Sequence, residues 1–108
     1  GEAEKAEYIK KYLQDMGLTD IKEYPAPDPD VPGGQRPNIV ARIAGKNTGK
    51  TIWTLAHLDV VPEGDLDKWD TDPFEGVVKD GKIFGRGSED NNQGLVSSIV
   101  TARAFIEE

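Results

Sequence analysis

The sequence contains no cysteine. Disulfides and thiolate metal sites are therefore excluded, and any metal must be held by imidazole and carboxylate. No apolar run approaches the ~18 residues of a membrane span. No secretory leader is visible either, which sets a cytoplasmic expectation. Positive charge is also short: 13 Lys and Arg stand against 20 Asp and Glu, a net charge of −7. A nucleic-acid or anionic-membrane partner needs a basic face, so neither is expected. Apolar residues are scarce at 36%, against the usual roughly 45–50%. A chain of 108 residues with that composition should build a modest core.

The apolar residues that are present fall into patterns. Ala6, Ile9, Leu13 and Met16 recur at helical spacing, which predicts a helix over 2–16 with Gly17 as its C-terminal cap. Ile21 and Tyr24 suggest a short strand. Residues 25–37 carry five of the seven prolines and read as a surface loop without regular structure. Asn38–Ala44 alternates as a strand does, and Gly45–Lys50 reads as a turn. Thr51–Val61, TIWTLAHLDVV, gives the strongest strand signal and is expected at the centre of a sheet. Val77-Val78 and Ile83-Phe84 flank Asp80-Gly81, the signature of a tight hairpin. A glycine-rich bend, Gly85–Asp90, precedes a second helix with Leu95, Ile99, Ala102 and Ile106 on one stripe. This order predicts an α/β fold, a mixed sheet with flanking helices.

Two motifs invite a functional reading. Ala44–Thr51, AGKNTGKT, satisfies a relaxed phosphate-loop pattern. Such a loop must open a helix, whose N-terminus holds the phosphate, and a β pattern follows here instead. A Gly-rich turn is the better reading. The second motif centres on His57, the only histidine. A single His at a strand end is more often structural than a ligand. Asp59 alters the balance, because residues i and i+2 of a strand share a face. Its carboxylate could accept a hydrogen bond from the imidazole, as partners of metal-bound histidines do. The competing reading is a surface pair of little energetic weight. Asp90, between the Gly-Arg-Gly bend and a helix, is either an N-cap or a second acidic ligand brought back to His57.

The succession His57-Leu-Asp59-Val-Val-Pro62, Trp69-Asp-Thr-Asp-Pro73-Phe74 and Asp80-Gly81-Lys82-Ile-Phe-Gly85-Arg86-Gly87-Ser-Glu-Asp90 resembles a known family. It is similar to the zinc amidohydrolases and exopeptidases that include acetylornithine deacetylase, succinyl-diaminopimelate desuccinylase, glutamate carboxypeptidase and carnosinase. The likeness covers roughly residues 38–106. It implies that His57 is a terminal ligand of one zinc and that Asp59 orients the imidazole as a catalytic residue. It also implies that Asp90 bridges two zinc ions, with Co2+ or Mn2+ as substitutes, and that a cis peptide follows Asp90. The implied reaction is hydrolysis of an amide bond in an N-acyl amino acid or small peptide. The segment after Asp90 departs from the family's usual Met-Lys-Gly: here Asn91-Asn92-Gln93 precedes Gly94, and Glu89 adds a charge.

The family's Glu-Glu pair, further acidic ligand and second His are not found. Glu107-Glu108 sits at a helix end and reads as solvated. The expectation is that residues 1–108 are the N-terminal part of a catalytic domain, inactive alone, lacking the lid or dimerisation domain. Exposed apolar surface predicts self-association of this chain, and the resemblance implies a homodimeric parent. The rival reading is a non-enzymatic binding or scaffold module that keeps the fold.

Overall fold

The computed structural model describes residues 2–46 and 49–107. It divides into two compact units, one of Gly1–Thr54 with Ile99–Glu108 and one of Leu55–Ser98.

The first unit opens with helix α1, Glu2–Asp15. Its apolar stripe is the core: Ala6, Ile9 and Leu13 are buried, together with Leu18 just beyond the helix. Glu2 and Glu4 sit in the first turn, where they complement the positive end of the helix dipole. The helix stops as the sequence requires. Gly17 has φ +93°, and its N–H bonds to the Gln14 carbonyl at 2.8 Å while Leu18 N–H bonds to the Leu13 carbonyl at 3.1 Å. These two bonds form a Schellman cap, with apolar residues at its two characteristic positions.

Strand β1, Ile21–Glu23, pairs antiparallel with β4, Ile39–Ala41, with Ile21 opposite Ala41. Between them the proline-rich segment is more ordered than expected. β2, Ala26–Pro27, pairs with β3, Gln35–Arg36. Proline is tolerated because a two-stranded ladder has only edges. Arg36 anchors this small hairpin: Nε donates to Asp28 Oδ2 at 2.6 Å and Nη1 to Glu2 Oε1 at 2.9 Å. The Asp28 carboxyl is held below its usual range, chiefly by the Arg36 hydrogen bond. In the Gly45–Lys50 turn, Asn47 and Thr48 lie outside the described residues.

The strand expected over Thr51–Val61 does not form. This segment joins no ladder among the described residues, and Ile52 and Leu55 are 88% and 85% exposed. A β pattern becomes a strand only when a neighbour is present to pair with it. The strands that do form give three separate two-stranded antiparallel ladders: β2–β3 and β5–β6 are consecutive in sequence, and β1–β4 encloses β2–β3. The α/β character stands, but 51–61 is not its centre. No helix follows AGKNTGKT either, so the phosphate-loop reading falls on that ground.

In the second unit a loop leads through a single 3-10 turn, Leu66–Lys68, capped by the Asp65 side chain on the Asp67 N–H. β5, Val77–Lys79, and β6, Lys82–Phe84, form the expected hairpin with Lys79 opposite Lys82. Asp80 and Gly81 have φ of 51° and 73°, the left-handed pair that a two-residue turn of type I′ demands. An irregular bend, Ser88–Gln93, leads into α2, Gly94–Glu107, of which the part up to Ser98 belongs to the second unit. Leu95, Ile99 and Ala102 are half-buried, and no residue of α2 is fully buried. Among the described residues no helix is long and apolar enough to cross a membrane.

Candidate metal centre

The three residues singled out in the sequence lie together in the second unit. His57 Nε2 is 2.8 Å from Asp90 Oδ1. His57 Nδ1 is 3.0 Å from the Asp59 carbonyl oxygen and 3.2 Å from Asp59 Oδ1. In the imidazolium form, Nε2–H donates to Asp90 and Nδ1–H to Asp59. Asp59 thus meets the ring with its backbone as well as its carboxylate, and does so without the strand geometry that suggested the contact.

The approach of Asp90 to His57 depends on a glycine. Gly87 has φ +79°, which favours glycine, and a Cβ built there would overlap Val60 Cγ1. The bend can therefore approach the His57–Val61 segment only because residue 87 has no side chain. Beyond it, Asp90 and Asn91 leave helical geometry and the Asp90–Asn91 peptide is cis. A Cβ on Gly94 would overlap the Asn91 side chain, so Asn91 folds back over the first residue of α2.

The electrostatics follow from the contacts. The Asp90 carboxylate, and next the Asp59 carbonyl, stabilise the charged ring, so the His57 pKa is raised above its usual 6.5. All three side chains are open to solvent, and Asp90 most of all, at 87%.

One imidazole nitrogen and one carboxylate oxygen form a donor set suited to a borderline divalent ion. The two residues fit a metal in kind, and their side chains lie close enough to face one site. They are too few to complete a site: among the described residues no group of three or more His, Cys, Asp or Glu converges. Glu107 adds nothing to this pair; it binds Arg103 Nε at 2.7 Å within α2. Glu108 lies outside the described residues.

Sequence reasoning did not anticipate the support around the pair. Arg86 Nη2 donates to the Glu63 carbonyl at 2.8 Å, and the same oxygen accepts from Trp69 Nε1 at 3.0 Å. The only sequence signal for this was the position of Arg86 between two glycines.

The sequence profile of Peptidase family M20/M25/M40 matches residues 53–108. The chain belongs to this family. An uncharacterised metallohydrolase of Methanocaldococcus jannaschii is 47% identical over 114 residues, covering 99% of this chain and 27% of the relative. A second uncharacterised metallohydrolase, from Methanococcus maripaludis, is 45% identical and covers 100% and 27%. A succinyl-diaminopimelate desuccinylase of Buchnera aphidicola is 43% identical over 65 residues, 60% of this chain and 17% of the relative. The chain thus spans about a quarter of the length of the metallohydrolases it matches. No solved structure matches.

Proposed function

We propose that residues 1–108 are the N-terminal part of the catalytic domain of a zinc-dependent hydrolase. Its reaction is cleavage of an amide bond in an N-acyl amino acid or small peptide. The observation that carries the reading is the 2.8 Å approach of His57 Nε2 to Asp90 Oδ1. The desuccinylase name of one relative supports an N-acyl amino acid as substrate. The charge of −7 fits a reaction on small molecules rather than on nucleic acid or at an anionic membrane.

His57 and Asp90 would hold metal, together with ligands from the rest of the protein. When bound, the metal lowers the pKa of a water and polarises the scissile carbonyl. Asp59 keeps the proton on Nδ1, so that Nε2 presents its lone pair outward. The Nδ1–H bond also fixes the plane of the ring. The remaining ligands and the general base belong to chain beyond these 108 residues, so the chain alone should bind zinc weakly and hydrolyse nothing.

The test is made on two proteins. The full-length protein should contain zinc and hydrolyse N-succinyl or N-acetyl amino acids. His57→Ala and Asp90→Ala should each remove metal and activity together. A metal-free full-length protein with full amidase activity would overturn the reading. Tight two-site zinc binding with amidase activity in the 108-residue chain would overturn the partial-site reading.

A further inference from the structure

We infer that Arg86 is a positioning residue, clamping the bend that carries Asp90 to the loop that follows His57. The inference concerns the geometry of the pair, and its importance for metal binding rests on the proposed function.

The need for a clamp arises from the missing strand. Residues 55–61 join no ladder among the described residues, so backbone pairing does not fix where His57 stands. Contacts other than backbone pairing contribute to its placement, and two lie at its C-terminal end. Val60 meets Gly87 at one point. The next is Glu63, whose carbonyl oxygen takes two bonds, from Arg86 Nη2 at 2.8 Å and Trp69 Nε1 at 3.0 Å. The Arg86 guanidinium also lies 5.1 Å from the centre of the Trp69 ring, within cation–π range. Its backbone N–H donates to the Pro73 carbonyl at 2.6 Å. One residue, four positions before Asp90, therefore ties the bend to three points of the loop that starts just after His57 and Val60.

The Arg86 side chain has no carboxylate partner in these contacts; its acceptor is a backbone carbonyl and its neighbour a ring face. Its Nε is buried without an acceptor among the described residues. The placement therefore follows the approach to the Trp69 ring and the Glu63 bond, not charge pairing. A guanidinium is planar and carries several N–H donors in a fixed fork, so one of them can reach a carbonyl while the group faces a ring. An ammonium offers no such plane. Arg86→Lys keeps the charge and the backbone bond to Pro73 and removes the two side-chain points of the clamp.

The test uses the 108-residue chain labelled uniformly with 15N, whose one imidazole gives unambiguous side-chain signals beside the backbone amides. Without metal, Asp90→Asn should shift the His57 Nε2 resonance, because Nε2–H loses a carboxylate acceptor. In an Arg86→Lys background that Asp90-dependent shift should fall by more than half, with α1 amide signals unchanged. Trp69→Phe keeps the ring face and loses only the indole donor. It should give a smaller loss, and it decides the matter if Arg86→Lys also loses the β5–β6 amide signals. A full Asp90-dependent shift in both backgrounds would overturn the clamp. Zinc is then added to the unsubstituted chain as a separate arm. A His57 signal indifferent to zinc counts against the metal reading and leaves the clamp decided by the metal-free result.

Discussion

His57 Nε2 and Asp90 Oδ1 are hydrogen-bonded at 2.8 Å across 33 positions of sequence. Because the chain has a single histidine, this contact can be followed without assignment ambiguity.

The first expectation concerns protons. The Asp90 carboxylate and then the Asp59 carbonyl raise the His57 pKa above 6.5. A group whose pKa is higher folded than unfolded stabilises the fold when protonated. That contribution is complete below about pH 6.5 and disappears as pH rises through the folded value. An NMR titration of the ring should give a midpoint above 6.5 in the metal-free chain, and Asp90→Asn should lower it. A midpoint unmoved by Asp90→Asn would show that the contact is not populated. Zinc and proton compete for Nε2, so zinc binding should weaken on acidification through the same midpoint.

The second concerns Gly87. An alanine there takes on an unfavourable left-handed conformation, about 1–3 kcal/mol, and overlaps Val60. Gly87→Ala should break the His57–Asp90 contact, seen as loss of the raised pKa. Adding Val60→Ala relieves the overlap but not the backbone cost, so recovery should be partial. An unchanged pKa in Gly87→Ala would refute the close-approach account.

The third concerns the core. Leu13 is buried and its carbonyl receives the capping bond from Leu18. Leu13→Ala should destabilise the first unit by about 2–3 kcal/mol, the low end for a buried leucine because the core is small. Thermal unfolding followed by helical circular dichroism measures it, and a change under about 0.5 kcal/mol, as at surface sites, would contradict the burial.

The fourth concerns association. The chain exposes 8815 Å², whereas a folded monomer of its mass exposes about 5,900 Å² and two separate half-size units about 7,100 Å² together. Ile52, Trp53, Leu55 and Val61 contribute to the excess. We propose that the isolated chain self-associates, and light scattering should show mass rising with concentration. A monomer at high concentration would count against it.

Much of this was legible in the sequence because it is local. The α1 stripe and its Gly17 cap, the Asp80-Gly81 hairpin and the bend before α2 each depend on residues within a few positions of one another. The Thr51–Val61 strand was not legible in the same way: its pattern states a capacity to pair, and the segment finds no ladder partner among the described residues. The small β2–β3 hairpin was hidden for the opposite reason. Its prolines argued against structure, while the Arg36 bonds that secure it reach to Asp28 and Glu2.

By itself, the sequence determined which donors exist: one imidazole, many carboxylates and no thiol, with glycine where the chain must turn sharply. Family membership followed from motif order alone. Only the tertiary structure decided that Asp90 faces Nε2 while Asp59 takes Nδ1, and that Arg86 grips Glu63 and Trp69. Distances between residues far apart in sequence depend on the path of the whole loop. That path is set by the absent Cβ of Gly87 and the paired donors at the Glu63 carbonyl, which no spacing rule contains.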